Sequence, residues 1–147
     1  MSIAERIRQD MTAAMKERDR ERVGALRMLG AALKNGEIEA GRPLTEEEEQ
    51  VILRRQLKQR EESAEAFRSA GREEQAASES AEAEIVREYL PEPLSPEELE
   101  QIVDRAMQET GATGIRDMGA VMGRATALAE GRAEGRELAA MVRGRLQ

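Results

Sequence analysis

At 147 residues the chain is long enough for one ordinary domain or two small ones. It contains no cysteine and no histidine. That removes disulfides, the usual metal ligands, the thiol nucleophile and the commonest general base. A net charge of −7 weighs against a general nucleic-acid binder.

One Phe, one Tyr and no Trp require an aliphatic core, with methionine filling gaps and alanine at helix contacts. The charge is uneven: residues 1–34 carry eight basic and five acidic side chains, residues 35–115 carry nine and 21, and residues 116–147 carry six and four. Of the basic residues, 20 are Arg and three are Lys, a choice suited to planar phosphate contacts. No apolar run is long enough for a signal peptide or a membrane span, so the expected location is cytoplasmic.

Ser2 and Glu5 form a capping box, and Ile3, Ile7, Met11 and Met15 repeat behind it, predicting a first helix to about Arg18. Asp19 caps a second helix with a stripe of Val23, Leu26, Leu29 and Leu33, which Asn35-Gly36 closes or briefly interrupts before the break at Gly41-Arg42-Pro43. Thr45 and Glu48 cap a third helix from about Glu46 to Ala70, where the run Glu46–Glu49 reads as a solvated first turn. Gly71 ends it, and a fourth helix runs through Ala76, Ala83 and Val86 to Leu90.

Three prolines within Pro91–Pro96 cannot continue a helix and mark a boundary. Ser95, Pro96 and Glu98 restart one as N-cap, N1 and N3, and Gly111 stops it. A sixth helix carries Gly119 and Gly123, Gly131 breaks it, and a last helix carries Leu138, Met141 or Val142, and Leu146. The fold expected is all-α: an N-terminal four-helix unit over residues 1–90, a proline-rich hinge over 91–96 and a small C-terminal three-helix unit over 97–147.

The segment Asp117-Met118-Gly119-Ala120-Val121-Met122-Gly123-Arg124 stands out. Two glycines inside a helix cost together about 2 kcal/mol relative to alanine, so something should offset them. Spaced by four, they share one face with Met118 and Met122 beside it, which points to close approach of another backbone. Tight packing inside the C-terminal unit is the first expectation and direct contact with a ligand the second. No nucleophile elbow, S-x-x-K arrangement, Walker loop or strand-linked glycine turn is present, so no catalytic residue, metal or cofactor is assigned.

These residues resemble the YqeY-like proteins of the GatB/YqeY group. The likeness runs through Leu26-Arg27-Met28-Leu29, Lys34-Asn35-Gly36-Glu37-Ile38, Lys58-Gln59-Arg60-Glu61-Glu62-Ser63, Phe67, Gly71-Arg72, Glu79, Glu82, Tyr89-Leu90-Pro91, the Met-Gly pairs at 118–119 and 122–123, and Gly131-Arg132-Ala133. The chain departs from the usual pattern at Ala120, commonly lysine, at Glu134, commonly aspartate, and at Gln75, often apolar.

The resemblance implies kinship with the helical tail of the GatB component of the glutamine-dependent aminoacyl-tRNA amidotransferase, a carbon–nitrogen ligase using glutamine as amido donor. That tail helps hold tRNA while the chemistry occurs elsewhere. The implied role is a non-catalytic module binding tRNA or a tRNA-handling complex, with Met118, Gly119, Met122, Gly123, Arg124, Arg132 and Arg136 as contact residues. Arg143 would join the arginines in converging on an RNA backbone. A protein–protein adaptor working through the Met118–Met122 face is the alternative.

Overall fold

A computed structural model describes all residues 1–147 and contains seven α-helices and no strand. The helices are α1 (Ile3–Lys16), α2 (Arg20–Ala40), α3 (Glu46–Ser69), α4 (Glu73–Arg87), α5 (Pro96–Thr110), α6 (Met118–Ala129) and α7 (Gly135–Leu146), with a 3-10 turn over Ile115–Asp117 leading into α6. The chain divides into two compact units, Met1–Leu90 and Pro91–Gln147.

The helix signals in the sequence act as read. Ser2, Thr45 and Ser95 each accept from the backbone N–H three residues on, and Glu5, Glu48 and Glu98 close the three capping boxes. Asp19 caps α2 by accepting from the Arg22 N–H at 3.1 Å. Gly41 and Gly111 end α2 and α5 in the left-handed conformation, which glycine adopts without the Cβ penalty. At the end of α4 the helix stops at Arg87, three residues short of the predicted Leu90.

Two readings are corrected. The first concerns Glu49, which is not part of a solvated turn but 3% exposed. Its Oε1 and Oε2 accept from the N–H groups of Ile3 and Ala4 at 3.3 and 2.9 Å. Ser2 N–H donates to Glu5 and Glu5 N–H to Ser2, so all four orphan donors of the α1 terminus have partners, two of them supplied by another helix.

The second concerns Gly36, which neither closes nor interrupts α2. The helix continues to Ala40, and Gly36 lies where the start of α3 presses in. A Cβ there would lie well inside van der Waals contact of Ile52 Cδ1 and 3.3 Å from Leu44 Cδ1. Packing of these side chains against bare backbone offsets the helical cost of the glycine.

The core of unit 1 gathers Ile3, Ile7, Leu26, Leu29, Leu33, Leu53, Val86 and Tyr89. Unit 2 has its own core of Leu99, Val103, Ala106, Val121, Ala125, Ala129, Leu138, Val142 and Leu146. The proline segment is fixed to unit 2: Leu94 N–H donates to the Arg132 carbonyl at 2.9 Å, and Arg132 Nε donates to the Glu92 carbonyl at 2.8 Å.

Glu49→Ala strips two N–H groups of a charged acceptor and should destabilise unit 1 by about 2 kcal/mol. Glu49→Gln keeps one acceptor and should lose less. Urea unfolding followed by circular dichroism measures both.

Candidate nucleic-acid interface

Helix α6 turns Val121, Ala125 and Ala129 into the core of unit 2, with Met118 and Met122 half-buried at its margin. Gly119 and Gly123 lie on the opposite, exposed face with Ala120. A Cβ added at either glycine would meet nothing within 4 Å. The expectation that they permit tight packing inside the unit therefore fails. The close approach is made on the other side of the helix, where Ala125 and Ala129 already present only methyl groups. Within unit 2 nothing offsets the helical cost of the two glycines.

The arginines do not converge. Arg124 pairs with Glu109 in the last turn of α5, and Arg105 reaches the same carboxylate at 3.0 Å. These two guanidinium groups, Arg124 first, hold the Glu109 carboxyl below its ordinary range. Arg132 lies at the other end of α5, where its Nη2 is 3.4 Å from Glu98 Oε2. Glu98 and Glu109 are eleven residues apart on one helix, about 16 Å at 1.5 Å per residue. Arg124 and Arg132 thus clamp opposite ends of α5, and Arg145 adds a third tie, to Asp104.

Arg136 differs from these two. It is exposed on α7 without an ion partner, and so is Arg143 seven residues on, which puts both on one stripe of the helix. Helix α7 packs directly against α6. A cleft of about 260 Å³ opens between α5 and the end of α6, with Leu94, Ile102 and Leu128 as its apolar lining and Arg105 and Arg132 at its edge.

Unit 1 holds a separate ion cluster that sequence reasoning did not assemble. Arg60 on α3 places Nε 3.1 Å from Glu82 Oε2 and 3.9 Å from Glu79 Oε2, both on α4. Its Nη2 lies 3.3 Å from Gln56 Oε1 and 3.7 Å from Met28 Sδ. Glu79 Oε2 is buried without a hydrogen bond. Burial pushes the Glu82 carboxyl above its ordinary range against the pull of Arg60, with Glu79 and Glu21 adding to the rise. The i,i+3 spacing of the two glutamates put them on one face, but nothing in the sequence showed which cation would meet them.

Nearby, Tyr89 donates to Asp10, Arg6 lies 5.2 Å from the Tyr89 ring centroid, and Arg22 pairs with Glu88 at 2.9 Å. Burial first, then the Asp10 hydrogen bond, raise the Tyr89 phenol above its ordinary value. Both clusters tie α4 to the rest of unit 1. No group of three or more acidic side chains is arranged to hold a metal ion, and no helix is long and apolar enough to cross a membrane.

The family model described as Yqey-like protein matches residues 4–146. The chain belongs to the YqeY-like family. No curated protein matches it.

Ala120, Glu134 and Gln75, singled out in the sequence, all lie at the surface of this family member. Ala120 is exposed beside the open glycines and brings no charge to that face. Glu134 occupies the N-cap of α7 without a side-chain cap bond, since its longer side chain caps poorly. Gln75 is exposed, and Ala76 carries the burial at this point of α4.

Replacing Gly119 and Gly123 with alanine should stabilise the protein by roughly 0.4–1 kcal/mol per site, because each gains helix propensity and meets no clash. Thermal unfolding of the double variant checks this. Glu82 should respond to pH in the opposite sense to a salt-bridged surface carboxylate. Its folded-state value is raised, so its ionisation penalises the fold above that value and the penalty disappears as pH falls towards the ordinary carboxylate range. Glu82→Gln should flatten that part of the stability–pH curve, and urea midpoints across mildly acidic pH read it out.

Proposed function

We propose that this YqeY-family chain is a non-catalytic helical module that binds tRNA or a tRNA-handling complex, working alongside a glutamine-dependent carbon–nitrogen ligase without performing the transfer itself. The family likeness supplies the link to tRNA. The observation that carries the reading is the outer face of α6: Gly119 and Gly123 leave bare backbone open to solvent. Beside it, Met118 and Met122 form a half-buried margin, and Arg136 offers an unpaired guanidinium on the adjoining helix. A phosphate backbone can approach a helix surface that carries no side chains, and a free guanidinium can bond it. With no aromatic side chain in unit 2, contact goes to backbone and shape rather than stacked bases.

Arg124 and Arg132 belong to the proposed contact set but also hold α5, so their removal tests stability as well as binding. Charge reversal at Arg136 and Arg143 separates the two. Fluorescence anisotropy with bulk tRNA should give weak binding whose log affinity falls linearly with log salt, by about 0.7–0.9 for each phosphate neutralised. Arg136→Glu with Arg143→Glu should reduce affinity at low salt by more than tenfold while leaving the thermal midpoint in place. Unchanged binding would sink the RNA reading for this face. Partners retained from native cells after nuclease treatment and high salt would favour the adaptor instead.

A further inference from the structure

A second cationic surface lies in unit 1, on the outer side of α2. Arg20, Arg27 and Lys34 are spaced by seven and all exposed. A seven-residue step returns to nearly the same direction, drifting about 20° per step. The three cations therefore form a single stripe spanning about 21 Å at 1.5 Å per residue. Between them on the same face stand Gly24 and Ala31, which leave the surface low. A Cβ at Gly24 would meet nothing within 4 Å.

Charge along the helix is segregated. From Arg22 to Gly36 there is no acidic residue; the acids of α2 are Glu21, Glu37 and Glu39, at its ends. Arg20 and Arg27 have no ion partner, and Lys34 has only Glu37 at a loose 3.9 Å. On α3 and α4, by contrast, Arg60, Arg68 and Arg87 are paired to glutamates, and the unpaired Arg55 stands singly rather than in a stripe. A stripe of cations left unpaired in an otherwise acidic protein is free to take an external anion.

We infer that this face of α2 binds the phosphate backbone of duplex RNA, independently of the surface proposed for unit 2. The middle of the face is Arg27 between Gly24 and Ala31. Protein–protein interfaces exclude charge from their centre and place apolar anchors there, whereas nucleic-acid interfaces are polar and positive throughout. Two large exposed apolar side chains border the stripe: Ile38 lies at its far end, and Met28, beside its middle, is turned toward α3, where its Sδ lies 3.7 Å from Arg60 Nη2. A smooth, low helix face suits the wide, shallow minor groove of an A-form duplex, where recognition runs through phosphates, 2′-hydroxyls and shape. No aromatic side chain stands on the face to stack an unpaired base.

The test uses the full chain and a fluorescein-labelled RNA duplex of about 20 base pairs, long enough to cover two successive minor grooves, with anisotropy measured from low to moderate salt. Arg20→Glu with Arg27→Glu and Lys34→Glu should weaken binding at least tenfold at low salt. It should also make the log–log salt slope shallower by about two to three, one per lost phosphate contact. Arg20→Lys with Arg27→Lys, which keeps the charge, should retain most of the affinity. Circular dichroism checks the fold, and if the reversal variant unfolds, the neutral variant R20Q/R27Q/K34Q carries the same criteria.

The two surfaces fail separately. Loss of binding in the α2 variant with none in R136E/R143E supports this inference and overturns the unit 2 site, and the converse overturns this one. Loss in both supports both. Equal binding of a B-form DNA duplex overturns the assignment to RNA. Unchanged RNA affinity together with a fall in sedimentation mass on charge reversal shows that the stripe instead holds the acidic face of a second copy, which also overturns it.

Discussion

The carboxylate of Glu49 is the point on which the N-terminal unit turns. A buried charge is costly unless it is fully hydrogen-bonded, and here the start of α1 supplies two N–H donors and the positive end of a helix dipole. The arrangement works in both directions. Helix α1 obtains partners for donors that its own capping box cannot reach, and α3 obtains a reason for its first turn to lie against α1. With that register set, Ile3 and Ile7 meet Leu26, Leu29 and Leu33, and α4 with the turn after it closes over them through Val86 and Tyr89. The ion pairs around Arg60 then fix the middle of α4, and the contacts of Glu88 and Tyr89 fix the chain just beyond its end.

Unit 2 is held on a different principle. Its core contains no aromatic residue, and three of its nine buried members are alanines, so area alone gives it a modest margin. Arginine ties along α5 compensate in geometry: Arg132 at one end, Arg124 at the other and Arg145 between. Each is partly exposed and so contributes little energy by itself. Together they fix the direction of α5 against the other two helices, and the Glu92 and Leu94 contacts bring the proline segment into the same unit.

Much of this was legible in the sequence, and the reason is local. Capping boxes, a proline at N1 and glycines at helix ends are decided by residues within four positions of each other, so Ser2, Thr45, Ser95, Gly41 and Gly111 act as their patterns say. Apart from the end of α4, what escaped was a question of what faces what. Glu49 and its three acidic neighbours look alike in sequence, yet only Glu49 points at another helix. Gly36 and Gly119 are both helix-interior glycines, and only the structure tells the one pressed by Ile52 from the one that faces solvent. The arginines of unit 2 had the right composition for an anion site, but composition does not reveal that Glu109 and Glu98 already hold Arg124 and Arg132.

The glycines of α6 therefore gain significance from the packing they lack. Were they seated against a neighbouring helix, they would be explained by the fold and carry no functional weight. Exposed, they lower helix stability in a small unit with little to spare, and alanine would fit both positions without contact. Nothing within the unit makes use of their bareness. Ala120, standing between them, brings no charge to that approach and adds almost no bulk. The same low profile recurs on α2 at Gly24 and Ala31, there with cations in sequence around it. An electrostatic contact in unit 1 and a steric allowance in unit 2 would be complementary ways for one acidic chain to accept a polyanion, the cations of α2 being segregated along the chain from the acidic first turns of α3 and α4.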